Sequence, residues 1–213
     1  MTMEKQIAVF DFDGTLIRGD SVVALLFYGR KRGCLSLAEL LKAGWYGLLY
    51  HLHLADALTA KGHSHAFLAR MNEGERQAFL RDFAGTLTAR VYQDGLARIK
   101  KHQAQGDLVV ICSASCHCYM RYVAETLDAD ALLCTPSAAD GRVAGPNCRG
   151  DEKVRRVRDW LKRQGMPLDC ITAAYGDTPG DAPILRASRH PVLVNAKKKL
   201  RRMLPEAEQV TWQ

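Results

Sequence analysis

Four short apolar runs, each stopping at a small or polar residue, constrain the fold of this chain most. Ile7–Phe10 stops at Asp11, Leu108–Cys112 at Ser113 and Ile171–Tyr175 at Gly176-Asp177, and Val192–Val194 is the fourth. Runs of this length, so bounded, read as buried strands. Most are followed by a helical pattern, and strands alternating with helices predict an α/β fold with a parallel sheet flanked by helices. In such sheets the ligand site lies just past the carboxyl ends of the strands. Asp11, Ser113 and Asp177 all fall there.

The segment from about Asp20 to Arg90 shows no strand signal. Asp20 is placed to cap a helix running through Arg32. Ser36 is placed to cap another, whose Leu37, Leu40, Leu41, Trp45, Leu48, Leu49 and Leu52 share one face. That stripe is expected to pack inside a helical bundle. Asn72, with Glu75 completing a capping box, opens a helix through Thr88. Roughly 70 residues of helix exceed an ordinary crossover and predict a small domain inserted after the first strand. Its hinges are expected near Leu16–Gly19 and Tyr92–Gly95. Downstream, Asp140-Gly141 suggests a hairpin within Ala131–Gly145, and Asp151–Gln164 a helix stopped by Gly165.

A chain of 213 residues suits one compact domain, or a core carrying a smaller insert. Hydrophobic residues make up 47%, enough for a packed core and too many for wholesale disorder. The most apolar long stretch, Leu35–Leu58, is interrupted by Glu39, Lys42, His51, His53 and Asp56, so no bilayer span is expected. Met1–Lys5 does not read as a signal peptide. Seven cysteines, an odd number without disulfide spacing, predict reduced thiols and a cytoplasmic location. The net charge of +7 suits an anionic substrate or surface. Its basic stretches, Arg30-Lys31-Arg32, Lys153–Arg163 and Lys197–Arg202, carry no nucleic-acid motif, and no nucleic acid partner is expected. The oligomeric state is left open.

Asp11-Phe12-Asp13-Gly14-Thr15-Leu16 is the most informative stretch. Residues two apart on a strand face the same way, which brings Asp11 and Asp13 to one mouth. Adjacent carboxylates repel unless a cation or proton sits between them. Gly14 permits a sharp turn and leaves room for a substrate. Gly176-Asp177-Thr178-Pro179-Gly180-Asp181 supplies two further carboxylates, and so many oxygens at one sheet edge suit Mg2+. Ser113, ending a strand before a helix, is suited to a phosphoryl oxygen, though a plain N-cap serine has the same signature. Lys153 opens a helix, where a cation opposes the dipole; it is either one more solvated lysine or a residue with another duty. Cys112, Cys116, His117 and Cys118 cluster but lack zinc spacing, and they read as buried thiols. His51, His53, His63 and His65 read as surface histidines of helices.

These motifs, in this order, resemble the haloacid dehalogenase superfamily: Asp11–Leu16, Ser113, Lys153 and Gly176–Asp181. The likeness covers about two-thirds of the chain, and the helical insert resembles the cap of the phosphoserine-phosphatase-like branch (subfamily IB). It implies a Rossmann-like parallel-sheet core over residues 1–17 and 92–213, with a helical cap of the C1 type over 18–91. It also implies a Mg2+-dependent phosphatase. Asp11 would take the phosphoryl group. Asp13 would protonate the leaving oxygen and then activate water. Asp177, Asp11 and the Asp13 backbone carbonyl would hold the metal, and Asp181 would orient Lys153 or the metal's waters. Ser113, with Ala114 and Gly14 beside it, and Lys153 would bind the phosphoryl oxygens.

Two departures bear on the substrate. Phosphoserine phosphatases resemble this chain at the first motif but carry Ser where Gly14 stands, and Glu where Asp20 stands. Asp20 could bind the substrate amine or simply cap the first helix of the insert, and the cap is the favoured reading. The long apolar cap helix resembles that of phosphatidylglycerophosphatase C-like enzymes. With Arg30-Lys31-Arg32 before it, the helix suits peripheral contact with an anionic membrane at its inner face. The expected substrate is a lipid phosphate such as phosphatidylglycerophosphate, with a small soluble phosphorylated metabolite as the alternative. A non-catalytic binding protein on the same fold is the alternative of another class.

Overall fold

The computed structural model describes residues 5–213, so most of the N-terminal stretch read as lacking a signal peptide lies outside the described residues. Strand β1 (Ile7–Phe10) lies near the centre of a six-stranded, all-parallel sheet. Around it stand β2 (Leu108–Cys116), β3 (Ala131–Thr135), β4 (Ile171–Gly176), β5 (His190–Val194) and β6 (Glu208–Val210), in the order β3-β2-β1-β4-β5-β6. All four residues of β1 are buried, as expected for a strand covered on both faces. Alternation then splits the core. Ala8 and Phe10 face one apolar cluster, Ile7 and Val9 the other.

The second cluster is closed by α7 (Asp151–Gln164), α8 (Ala182–Arg186) and α9 (Lys198–Met203). On the other face lie α5 (Gln93–Ala104) and α6 (His117–Thr126). Between β1 and α5 run α1 (Ser21–Lys31), α2 (Leu37–His51), α3 (Ala57–His65), a 3-10 turn (Ala66–Arg70) and α4 (Glu73–Thr88). Asp20, Ser36 and Asn72 cap α1, α2 and α4 as the sequence predicts, the last two through capping boxes with Glu39 and Glu75. The chain enters and leaves this helical group side by side. Ile17 bridges Val91, and the Tyr92 N–H donates to the Leu16 carbonyl at 2.9 Å.

Several expectations need correction. Strand β2 runs on to Cys116, with a slip in register after Ser113, so Ser113 lies within the strand and not at its end. The hairpin around Asp140-Gly141 shrinks to a single Ser137–Val143 bridge, because the first half of that segment pairs with β2 as β3. The apolar stripe of α2 packs inward only in part: Leu40 and Leu49 are half-buried, Leu40 against the core, but Leu37, Leu41, Trp45, Leu48 and Leu52 are each about half exposed or more, and only Ala43 of α2 is buried. His65, read as a surface residue, is fully buried.

Candidate active site

The carboxyl ends of β1 and β4 stand side by side, with the Asp11 N–H bonded to the Tyr175 carbonyl at 3.0 Å. This pairing puts Asp11 beside Asp177. The turn after β4 then brings Asp181 back, held by its own capping box with Thr178. Carboxylate oxygens of Asp11, Asp177 and Asp181 lie within 4.8 Å of one another, all buried. Gly14 makes this possible. Its φ is +79°, and a Cβ there would collide with the Asp177 carboxylate. The space at Gly14 is thus taken by Asp177, where the sequence suggested substrate.

Lys153 reaches the same point from the first turn of α7. Its Nζ donates to Asp11 Oδ1 at 2.6 Å and to Asp181 Oδ1 at 2.7 Å, and the side chain is only 2% exposed. A solvated lysine is ruled out. Burial works against the Lys153 charge, but Asp11 and Asp181 outweigh it and hold its pKa well above the ordinary value. At Asp181 burial is likewise outweighed, by Lys153 and the Thr178 N–H, and its carboxyl lies below the usual range. Asp11 and Asp177 go the other way. Burial and then Asp181 push Asp11 up to about 6; burial and then Asp11 push Asp177 up to about 8. Fully ionised, three carboxylates would face one ammonium and leave two negative charges uncompensated, which is why the proton is held so tightly on Asp177.

Asp13 is partly buried and stands apart from that cluster. The Ser21 N–H and hydroxyl hold it, at 2.7 and 3.0 Å, together with the Ser115 hydroxyl. Burial and then the negative charge of Asp20 raise its pKa to about 7. Asp20 itself is exposed and caps α1, accepting from the N–H groups of Val22 and Val23 at 2.8 and 3.0 Å. Ser113 is fully buried, and its hydroxyl accepts from the Ser115 N–H at 3.1 Å. The Ala114 carbonyl accepts from the Thr135 hydroxyl at 2.6 Å and from Lys61 Nζ.

Sequence reasoning missed Ser21, Ser115, Tyr119 and Lys61. The hydroxyl of Ser21 lies 2.6 Å from that of Ser115 and 2.9 Å from that of Tyr119, so all three support Asp13. Ser115 was findable, standing two residues beyond Ser113 on the same extended stretch. Lys61 crosses from α3 to Ala114 and Asn147. That contact is purely tertiary and leaves no local signal.

The donor set can be tested for a metal. Asp177 Oδ1 is buried without any hydrogen-bond partner, an arrangement that costs about 1–3 kcal/mol unless a cation meets it. All donors are hard oxygens, and the uncompensated charge equals that of a divalent ion. The residues therefore fit Mg2+.

Comparison with known proteins follows this geometry. The family described as haloacid dehalogenase-like hydrolase matches residues 8–186. A histidinol-phosphatase of Neisseria meningitidis is 28% identical over 98% of this chain and 97% of its own length. Protein CicA of Caulobacter vibrioides is 32% identical over 87% of this chain and 84% of its own. Among solved structures, a Bordetella pertussis protein of unknown function superposes with a TM-score of 0.89 at 23% identity, covering 98% of this chain and 99% of that one. A phospho-aspartyl intermediate analogue of phosphoserine phosphatase gives 0.67 at 15%, covering 97% and 92%. At such identities these two likenesses speak for the fold.

Proposed function

Because the chain belongs to the haloacid dehalogenase-like hydrolases, we propose that it hydrolyses a phosphomonoester through a phosphoryl group carried on Asp11. One observation carries the reading: Lys153 forks between Asp11 and Asp181 while the buried Asp177 beside them keeps an unpaired oxygen. Asp11, Asp177 and Asp181, with the Asp13 backbone carbonyl, would hold Mg2+; the Asp13 carboxylate itself belongs to the chemistry. Bound there, Mg2+ supplies positive charge against the phosphoryl oxygens.

The protein's own groups do the rest. Lys153 fixes Asp11 Oδ1, which leaves Oδ2, met by the Thr15 hydroxyl at a long 3.4 Å, to attack phosphorus. As the P–O bond breaks, Asp13 gives its proton to the leaving oxygen; a carboxyl with a pKa near 7 keeps that proton in about half of the molecules at neutral pH. Asp13, now ionised, takes a proton from water, which attacks phosphorus and frees Asp11. Ser113, with the backbone at Gly14 and Ala114, and Lys153 steady the phosphoryl oxygens. Residues 18–91 act as a cap on a core of 1–17 and 92–213, turning on the bridged pair Ile17 and Val91 and excluding water when closed.

The substrate is a small soluble phosphomonoester. The Neisseria histidinol-phosphatase, similar along nearly its whole length, makes histidinol phosphate the first candidate. A lipid phosphate is the second reading, favoured by the exposed α2 face of Leu41, Trp45 and Leu48 beside Arg30, Lys31 and Arg32. A panel of phosphomonoesters with Mg2+ separates the two. Turnover of histidinol phosphate without binding to anionic vesicles supports the first. Vesicle binding at low salt, with turnover of phosphatidylglycerophosphate alone, supports the second. No turnover of any phosphomonoester, and no acyl phosphate trapped on Asp11 by borohydride, would overturn both.

A further inference from the structure

Beyond Tyr119, which meets the Ser21 hydroxyl and stacks with His65, lies a second cluster that the reaction does not use. His65, the last residue of α3, is fully buried. Its Nδ1 lies 2.9 Å from the Lys61 carbonyl one turn back. A carbonyl only accepts, so the ring proton sits on Nδ1 and Nε2 keeps a lone pair. That Nε2 is buried and, among the described residues, meets no oxygen or nitrogen partner, only the Cys116 sulfur. Facing it are Cys116, at the end of β2, and Cys118, in the first turn of α6. A ring nitrogen of His65 and the two sulfurs lie within 4.8 Å of one another, with all three residues buried. Nδ1 is committed to the carbonyl, which leaves Nε2 as the atom turned to the thiols.

We propose that His65, Cys116 and Cys118 bind a thiophilic cation, Zn2+ in the first place. The donor set decides the class. Two sulfurs and an imidazole suit zinc and disfavour Mg2+, whose oxygen site lies elsewhere. Two thiolates and a neutral imidazole balance a divalent charge, which a buried site requires. The Lys61 carbonyl on Nδ1 is the outer partner that fixes the tautomer a histidine ligand needs. Residues Cys116 and Cys118 flank the turn from strand to helix, so their sulfurs come from one rigid corner. The histidine comes from the helical group between β1 and α5. The ion thus fastens that group to the sheet next to Ser115, which holds Asp13. From sequence these cysteines lack zinc spacing and read as buried thiols; the third ligand is His65, 51 positions before Cys116 in the chain.

Cobalt reports on the site without any assay of turnover. The reduced, metal-free full chain is titrated with Co2+, and absorption from thiolate-to-cobalt charge transfer is followed. One equivalent is expected to raise that band, and Zn2+ to abolish it. Cobalt held by Asp11, Asp177 and Asp181 has no sulfur ligand and stays silent in this region. His65→Ala and Cys118→Ala should each weaken cobalt binding at least tenfold, while Cys148→Ser, at the other thiol pair, should leave it unchanged. Absence of the band in the wild-type chain would overturn the proposal. So would a band that survives both ligand variants or is lost in Cys148→Ser. The wild-type result stands even where a variant fails to fold.

Discussion

Ser21 grips both oxygens of Asp13, its backbone N–H donating to Oδ1 at 2.7 Å and its hydroxyl to Oδ2 at 3.0 Å. The first residue of α1 therefore holds the proposed general acid, and Asp20, immediately before it, adds to the rise in proton affinity that burial begins. The helical group and the acid share one electrostatic unit.

The first prediction follows from that unit. Asp13 must be protonated to assist a poor leaving group, so turnover of an alkyl phosphate should fall as pH rises through about 7. Asp20→Asn keeps the helix cap, since Asn caps as well as Asp. It removes a neighbouring negative charge, which favours the ionised form of Asp13. The alkaline limb of the pH–rate profile should move to lower pH. A limb that stays put at low salt would contradict the assignment.

Substitution at the proposed nucleophile should separate chemistry from folding. Asp11→Asn should abolish turnover, because an amide does not attack phosphorus. Asp13→Asn should cost on the order of a hundredfold or more, the usual worth of a positioned acid–base group. Circular dichroism and single-turnover assays check both; turnover by Asp11→Asn at the wild-type rate excludes the mechanism.

Asp177 gives a test in which the sign can be fixed beforehand. Its carboxyl titrates at about 8 in the metal-free fold, against 3.8 ordinarily. A raised value means the stabilising form is the protonated one, fully present below pH 4 and lost as pH climbs through 8. Metal-free Asp177→Asn should therefore melt above the wild type at pH 9. Mg2+ should raise the wild-type Tm and leave the variant almost unmoved. Thermal melts with and without EDTA decide it.

Removing Lys153 should expose the strain it neutralises. Lys153→Met strands two buried carboxylates, a change worth roughly 3–5 kcal/mol when one partner of a buried pair is deleted. Denaturant titration should register that loss at pH 8, and less of it at pH 4, where protonation relieves the repulsion. Equal losses at the two pH values would argue against the ion pairs.

Gly14→Ala is a backbone test. Positive φ and the approach of the Asp177 carboxylate together should cost about 1–3 kcal/mol and weaken Mg2+ binding. Wild-type melting and wild-type Mg2+ affinity in that variant would refute the account of Gly14.

Much of this was legible beforehand, for local reasons. Apolar runs marked the central strands because β1 is buried on both faces, and the caps at Asp20, Ser36 and Asn72 were written in single side chains. The carboxylates announced themselves by spacing. What stayed hidden depended on partners far away in the chain. Strand β3 exists because β2 offers an edge, and β6, three residues long, exists because β5 does. The α2 stripe has the period of a buried face and yet lies mostly in the open, because periodicity states that a face is apolar and not what covers it. Lys61 and His65 gain their meaning only where α3 meets the core.

The side-by-side passage at Leu16–Ile17 and Val91–Tyr92 has a consequence for how such a chain can diversify. An excursion that leaves and returns through one doorway imposes no length on the frame it departs from, and closing a longer or shorter loop changes the entropy only slowly. Whole helices could be traded between these two points without shifting the register of the sheet. Preference for one phosphate ester over another can then drift in the helices beyond Ser21, whose grip on Asp13 keeps the start of α1 with the hydrolytic apparatus.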